Sequence, residues 1–127
     1  MPDSDAGTPP DDADLAEMFG LLPDDLLILR ALLHQLPGLE RVSVFGSRAT
    51  GRHRSSSDLD LALFGERLGT LAAAEVRERF AASDFVKRVD AVRVHDGLDP
   101  ILLAEIDRHG VTLSLGNSAS PASRVAP

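Results

Sequence analysis

Two aspartates on one short segment are the residues of this chain best suited to chemistry. Asp58 and Asp60 are two positions apart in the run Asp58-Leu-Asp-Leu-Ala-Leu63, whose strict alternation predicts a β-strand. Because successive side chains of a strand point to opposite faces, both carboxylates are expected on one face and the leucines on the other. Neighbouring anions repel unless a cation lies between them, and Mg²⁺ prefers carboxylate oxygen. The pair therefore predicts a divalent-cation site, although such a pair alone is more often solvated charge on an edge strand.

A third acid, Asp90, lies between Val89 and Ala91 in an otherwise apolar run. An acid in such a run is costly without a cation, and the alternatives are a surface position or an ion pair with Arg88 or Arg93. If its strand neighbours the first, three carboxylates converge. Three carboxylates are enough to hold two metal ions about 4 Å apart for in-line phosphoryl or nucleotidyl displacement.

A Gly-Ser pair closes the strand predicted before the two aspartates. Gly46 lets backbone amides approach a phosphate closely, and the Ser47 hydroxyl adds a rotatable donor. The segment 46–51 has the glycine spacing of the P-loop of NTPases. It is followed by Arg52-His53 where that motif requires Lys and Ser/Thr, so the P-loop interpretation fails.

These residues must be positioned by the helices and strands around them. The order of the predicted helices and strands indicates an α/β (α+β) domain with one small mixed β-sheet flanked by helices. Strands are expected at 41–45, 58–63 and 85–94, with a short last strand at 111–115. Helices are expected at 14–19, after Pro23, at 70–82 and at 101–109, and a polar loop at 47–57. The leucine-rich helix after Pro23 is apolar almost all round, which predicts burial in this domain, with burial against a partner as the alternative.

Composition narrows the classes of function. The chain has 127 residues, which is one ordinary domain, and no Cys, which excludes a disulfide framework and a cysteine zinc site. A net charge of −7 with no Trp or Tyr argues against direct nucleic-acid binding. No apolar run could span a membrane, so a cytoplasmic protein is expected. The predicted boundaries are a disordered acidic tail at 1–13, the domain at 14–115 and a flexible tail at 116–127.

The spacing of the two motifs resembles a known family signature. Gly46-Ser47, ten intervening residues and Asp58-Leu59-Asp60 are similar to the Gly-Ser-x10-Asp-x-Asp pattern of the polymerase-β-like nucleotidyltransferase superfamily. The segments 45–51 and 57–61 most resemble the minimal nucleotidyltransferases (MNT), many of which are antitoxins paired with HEPN-domain toxins. The resemblance covers about residues 24–115 and implies the nucleotidyltransferase fold.

The resemblance also implies a role for each motif residue. Three carboxylates would be catalytic and would hold two Mg²⁺ ions: Asp58, Asp60 and Asp90. Four residues would bind the nucleotide, the first two at its β- and γ-phosphates: Gly46, Ser47, Arg48 and Arg52. The two arginines would neutralise phosphate charge, and the alternative is that they only keep the loop solvated.

The function implied is that of an antitoxin that transfers AMP from ATP to a hydroxyl side chain of a partner HEPN toxin in a hetero-oligomer. The chain leaves no room for a separate acceptor-binding domain, so the acceptor is expected to come from another protein. Two alternatives remain open. One is a non-catalytic antitoxin that inhibits its partner by contact, and the other is nucleotidyl transfer to a small molecule or an RNA end.

Overall fold

The computed structural model describes residues 12–85, 87–113 and 115. Nine elements follow one another in these residues: α1 (Asp12–Phe19), α2 (Pro23–His34), β1 (Arg41–Phe45), α3 (Ser47–Thr50), β2 (Leu59–Phe64), α4 (Ala72–Ala81), β3 (Val89–Arg93), α5 (Pro100–His109) and β4 (Val111–Leu113). The predicted tails lie outside the described residues, except that 12 and 13 already belong to α1. Within the described ranges, no helix is long and apolar enough to cross a membrane.

The four strands form one mixed sheet in the order β3-β2-β1-β4, which confirms the predicted fold class. β1 runs antiparallel to both β2 and β4. β2 and β3 run parallel, and α4 supplies the crossover that a parallel pair needs. This parallel pair carries the acidic residues singled out in the sequence.

The two faces of the sheet are covered unequally. The larger core lies on the face that α1, α2 and α4 cover, and it includes Leu59, Leu61 and Leu63 of β2, each 0% exposed. The opposite face carries a smaller cluster in which Ala62 packs with Ile106 of α5. The alternation of β2 thus separates the leucines from the aspartates, as the sequence predicts.

The leucine-rich helix α2 is buried in this domain by the side that carries Leu26, Leu29 and Leu33. The acid at its first turn caps it, because Asp25 Oδ2 accepts a hydrogen bond from the Leu22 amide at 2.9 Å. Leu27 stays 59% exposed, so the helix is less completely covered than its composition suggests.

Three predicted elements differ from those observed. The polar loop 47–57 begins with the short helix α3. β3 starts at Val89 rather than at Phe85, because the Phe85 ring packs edge-on against Phe80 of α4, with 5.3 Å between ring centroids. Phe85 therefore closes the turn between α4 and β3. Of the last strand predicted at 111–115, the structure has Val111–Leu113; residue 114 lies outside the described residues, and Leu115 is not in a strand.

Candidate active site

The register of the parallel strands brings the predicted carboxylates together. Asp60 of β2 lies directly opposite Asp90 of β3, and adjacent strands are about 5 Å apart. Asp58 precedes β2 by one residue and shares the face of Asp60, since the ladder already begins at Leu59, whose amide donates to the Arg88 carbonyl at 2.8 Å. All three acids therefore lie at one end of the parallel pair.

Asp60 has the most perturbed environment of the three. Burial, followed by the negative charges of Asp90 and Asp58, raises the pKa of its carboxyl to about 6 from an ordinary 3.8. The Asp60 carboxyl thus resists ionisation beside its neighbours. A cation among the three carboxylates would remove this penalty.

Asp90 is exposed and forms an ion pair with an arginine that the sequence did not indicate. Its Oδ1 lies 3.5 Å from Nη1 of Arg77 on α4, and the same nitrogen donates to the Ala91 carbonyl at 2.8 Å. The ion pair expected as an alternative, with Arg88 or Arg93, is replaced by this one. Both side chains are about half exposed, so the ion pair stabilises the fold little. Nothing in the Ala-rich pattern of α4 marks Arg77, because its contact depends on the strand order.

The donor set fits a hard divalent cation. It consists of carboxylate oxygens on two adjacent strands, which is the chemistry that Mg²⁺ prefers, and their mutual repulsion is what a cation would relieve. In the described part of the chain, no three Asp, Glu or His side chains are already gathered around one point. Asp90 instead lies against Arg77 of α4. The strand register nevertheless places the backbones of Asp60 and Asp90 directly opposite each other.

The Gly-Ser turn lies beside the carboxylates. Phe45, the last residue of β1, is paired with Asp60, and Gly46 follows with φ +77°. A Cβ at this glycine would collide with Oδ2 of Asp60. Glycine is therefore required both for the backbone conformation and for the close approach of the carboxylate. Ser47 then opens α3, next to the acids as the motif spacing predicts.

A cavity of about 290 Å³ adjoins this turn. Six residues line it: Gly46, Ser47, Thr50, Arg52, Glu105 and His109. Arg52 is exposed and reaches the cavity together with the Gly-Ser pair, which is compatible with the role predicted for it. Glu105 and His109 of α5 are not among the site residues predicted from the sequence. Their separation by four positions, which puts them on one face of a helix, is the signal that could have indicated them.

Arg48 lies elsewhere than predicted. Its side chain is 1% exposed, and its guanidinium donates to backbone carbonyls that include Phe19 at 2.7 Å and Ser57 at 2.8 Å. Burial lowers the pKa of this guanidinium, and the negative charge of Asp58 opposes the effect. Its donors are engaged with backbone carbonyls inside the protein, and Arg48 does not line the cavity beside the Gly-Ser turn, so the phosphate-binding role expected from the sequence stays a prediction.

Acidic residues on a parallel strand pair, with a Gly-Ser turn beside them on a small mixed sheet, define the nucleotidyltransferase class. The family described as Polymerase beta, Nucleotidyltransferase matches residues 28–118. The chain belongs to this family.

Individual relatives narrow the comparison. A probable protein adenylyltransferase MntA of Haemophilus influenzae is 41% identical over 68 residues, which are 53% of this chain and 60% of that protein. The match thus spans less than two thirds of the relative's length. A crystal structure of a toxin-antitoxin with AMP-PNP contains a chain with 25% identity and a TM-score of 0.57, covering 72% of each chain.

A third comparison supports the fold alone. The complex of a tri-AMPylated Shewanella oneidensis HEPN toxin with its MNT antitoxin matches with 22% identity and a TM-score of 0.53. The match covers 69% of this chain and 67% of that one. The sheet and helices of this chain are therefore those of the nucleotidyltransferase fold.

Proposed function

We propose that this chain is a Mg²⁺-dependent nucleotidyltransferase that transfers AMP from ATP to a hydroxyl side chain of a partner HEPN toxin and so acts as its antitoxin. The observation that carries the proposal is the register of Asp60 with Asp90, with Asp58 on the same face and Gly46 against the Asp60 carboxylate. The adenylyl donor and the protein acceptor are supported by the similarity to MntA and to a toxin-antitoxin crystallised with AMP-PNP.

The carboxylates Asp58, Asp60 and Asp90 would hold two Mg²⁺ ions. When bound, these ions neutralise the triphosphate and make the acceptor hydroxyl easier to deprotonate. Of the three acids, Asp90 is the most exposed, so it is the one best placed to accept the hydroxyl proton from an acceptor arriving on another protein.

The nucleotide tail would lie along the turn beside the carboxylates. Gly46, Ser47 and Arg52 line one cavity, and a backbone amide, the Ser47 hydroxyl and the Arg52 guanidinium would supply donors for the β- and γ-phosphates. The acceptor oxygen attacks the α-phosphorus, the bond from that phosphorus to the bridging oxygen breaks, and pyrophosphate leaves in line. The hydroxyl proton passes to a carboxylate and then to solvent.

The partner and the location are parts of the same proposal. A toxin that serves as acceptor must bind this chain long enough for transfer, so a hetero-oligomer is expected. Because the nucleotide donor is ATP, the complex is expected in the cytoplasm.

The test is intact-mass spectrometry of the HEPN partner after incubation with this chain, ATP and Mg²⁺. The wild-type chain and a control, Asp84→Asn, which changes an exposed acid outside the site, should each add one or more AMP units. The double variant Asp58→Asn/Asp60→Asn should add none. An unmodified toxin in a tight complex would instead indicate inhibition by contact. Transfer by this chain alone to a small alcohol or an RNA end would indicate the other alternative.

A further inference from the structure

A buried arginine connects α1 to the loop that leads into the carboxylates. Arg48 of α3 is 1% exposed, and its guanidinium donates to carbonyls in two separate segments of the chain. One segment is the end of α1 and the other is the loop 54–57. The residue therefore spans a contact that no local sequence pattern specifies.

On the α1 side, Nη1 of Arg48 donates to the Phe19 carbonyl at 2.7 Å and lies 3.5 Å from the Gly20 carbonyl. The last carbonyls of a helix have no partner within it, and a cation there is favourable. Gly20 has φ +71°, and a Cβ at this position would collide with His53 and approach Nη1 of Arg48. The helix end and the guanidinium are therefore packed in direct contact. α1 precedes residues 28–118, the range that the family matches.

On the loop side, Nε and Nη2 of Arg48 both donate to the Ser57 carbonyl, at 3.1 and 2.8 Å. Nη2 also donates to the Arg54 carbonyl at 3.2 Å. The loop is closed on itself, because the Arg54 amide donates to Ser57 Oγ at 2.8 Å and the Ser57 amide to the Arg54 carbonyl at 3.0 Å. Ser57 immediately precedes Asp58. The fork of Arg48 thus holds the backbone from which the Asp58 carboxylate projects.

We propose that Arg48 is a positioning residue that ties α1 to the loop 54–57 and so fixes Asp58 for metal binding. The inference rests on the proposed function in taking Asp58 as a metal ligand. Lysine cannot replace the guanidinium, because all its donors are on one nitrogen atom and cannot reach the carbonyls of both α1 and the loop 54–57. Groups that orient metal ligands change metal affinity about 10- to 100-fold when they are removed.

The experiment measures metal binding by the full chain, with Mn²⁺ as an electron paramagnetic resonance probe. Arg48→Lys should bind Mn²⁺ at least about tenfold more weakly than the wild type. Arg108→Lys, an exposed change on α5, should leave the affinity unchanged. Hydrogen exchange in EDTA supplies a readout that needs no metal: Arg48→Lys should accelerate exchange in the loop 54–57 and leave the amides of β1 protected.

Gly20→Ala extends the test if Arg48→Lys does not fold. It adds a Cβ against His53 and Nη1 of Arg48 without removing either side chain, and it should change metal affinity and loop exchange in the same direction. Either variant folded with wild-type Mn²⁺ affinity and loop exchange would overturn the proposal. So would unchanged Mn²⁺ affinity with weakened ATP binding, since that would make Arg48 a nucleotide ligand. If the wild type binds Mn²⁺ but leaves the toxin unmodified, the proposed function fails and the role of Arg48 is still decided by these measurements.

Discussion

Replacing Asp60 by asparagine should stabilise the metal-free protein while abolishing transfer. The folded chain raises the pKa of Asp60 from 3.8 to about 6, by burial and by the charges of Asp90 and Asp58. The folded state therefore holds the proton more tightly than the unfolded state does. Stability must fall as the pH rises from about 4 to about 6, and above that range the full penalty is present. Asparagine has nearly the same shape and no charge, so it removes the penalty.

The gain in unfolding free energy expected for Asp60→Asn follows from the pKa shift of Asp60. The difference between 3.8 and about 6 corresponds to about 3 kcal/mol if all of it were expressed in stability. The carboxyl is only half-buried, and solvent screening reduces the figure to roughly 1 to 2 kcal/mol. For a chain of this length, the unfolding midpoint of Asp60→Asn should rise by roughly 3 to 8 °C.

The assay is thermal unfolding followed by circular dichroism in EDTA, at about pH 8 and about pH 5.5, with Asp84→Asn as the control. The difference in unfolding midpoint between Asp60→Asn and the wild type should be largest at about pH 8 and smaller at about pH 5.5. Mg²⁺ should raise the midpoint of the wild type and not that of the variant, because only the former binds the ion tightly. An Asp60→Asn midpoint at pH 8 equal to or below that of the wild type in EDTA would refute the reasoning.

Two further predictions concern the turn beside the carboxylates. Gly46→Ala combines a φ of +77° with a collision against Asp60, so it should cost about 1 to 3 kcal/mol in unfolding free energy and weaken Mn²⁺ binding. The matched control is Gly51→Ala, which has a similar φ of +78° but open space around the added Cβ. It should cost about 1 kcal/mol in unfolding free energy and leave Mn²⁺ binding intact. Equal Mn²⁺ affinities in the two variants would contradict this assignment. Arg52→Met should weaken ATP binding about tenfold at low salt, as measured by calorimetry, and the difference should narrow as salt is added. An ATP affinity equal to that of the wild type would remove Arg52 from the site.

The strand β2, with Asp60 within it and Asp58 just before it, could be predicted because alternation is a local property of the chain. The contribution of Asp90 depended on β3 lying next to β2, and strand order is decided by packing rather than by local pattern. The burial of Arg48 could not be predicted for a related reason. It follows the Gly-Ser pair directly, yet its carbonyl partner Phe19 is 29 positions away, and four residues of helix do not reveal which way a side chain points.

The chain can fold despite the free-energy cost of ionising Asp60, because the other face of β2 contributes to the hydrophobic core. Leu59, Leu61 and Leu63 are each 0% exposed, and full burial of a leucine contributes about 1.5 to 3 kcal/mol. Three such residues outweigh the roughly 1 to 2 kcal/mol that ionised Asp60 costs on the opposite face. The same alternation that anchors the strand therefore allows it to carry repelling carboxylates in the absence of metal. It follows that variants in which Leu59, Leu61 or Leu63 packs less well in the core should depend more strongly on Mg²⁺ for folding than the wild type does.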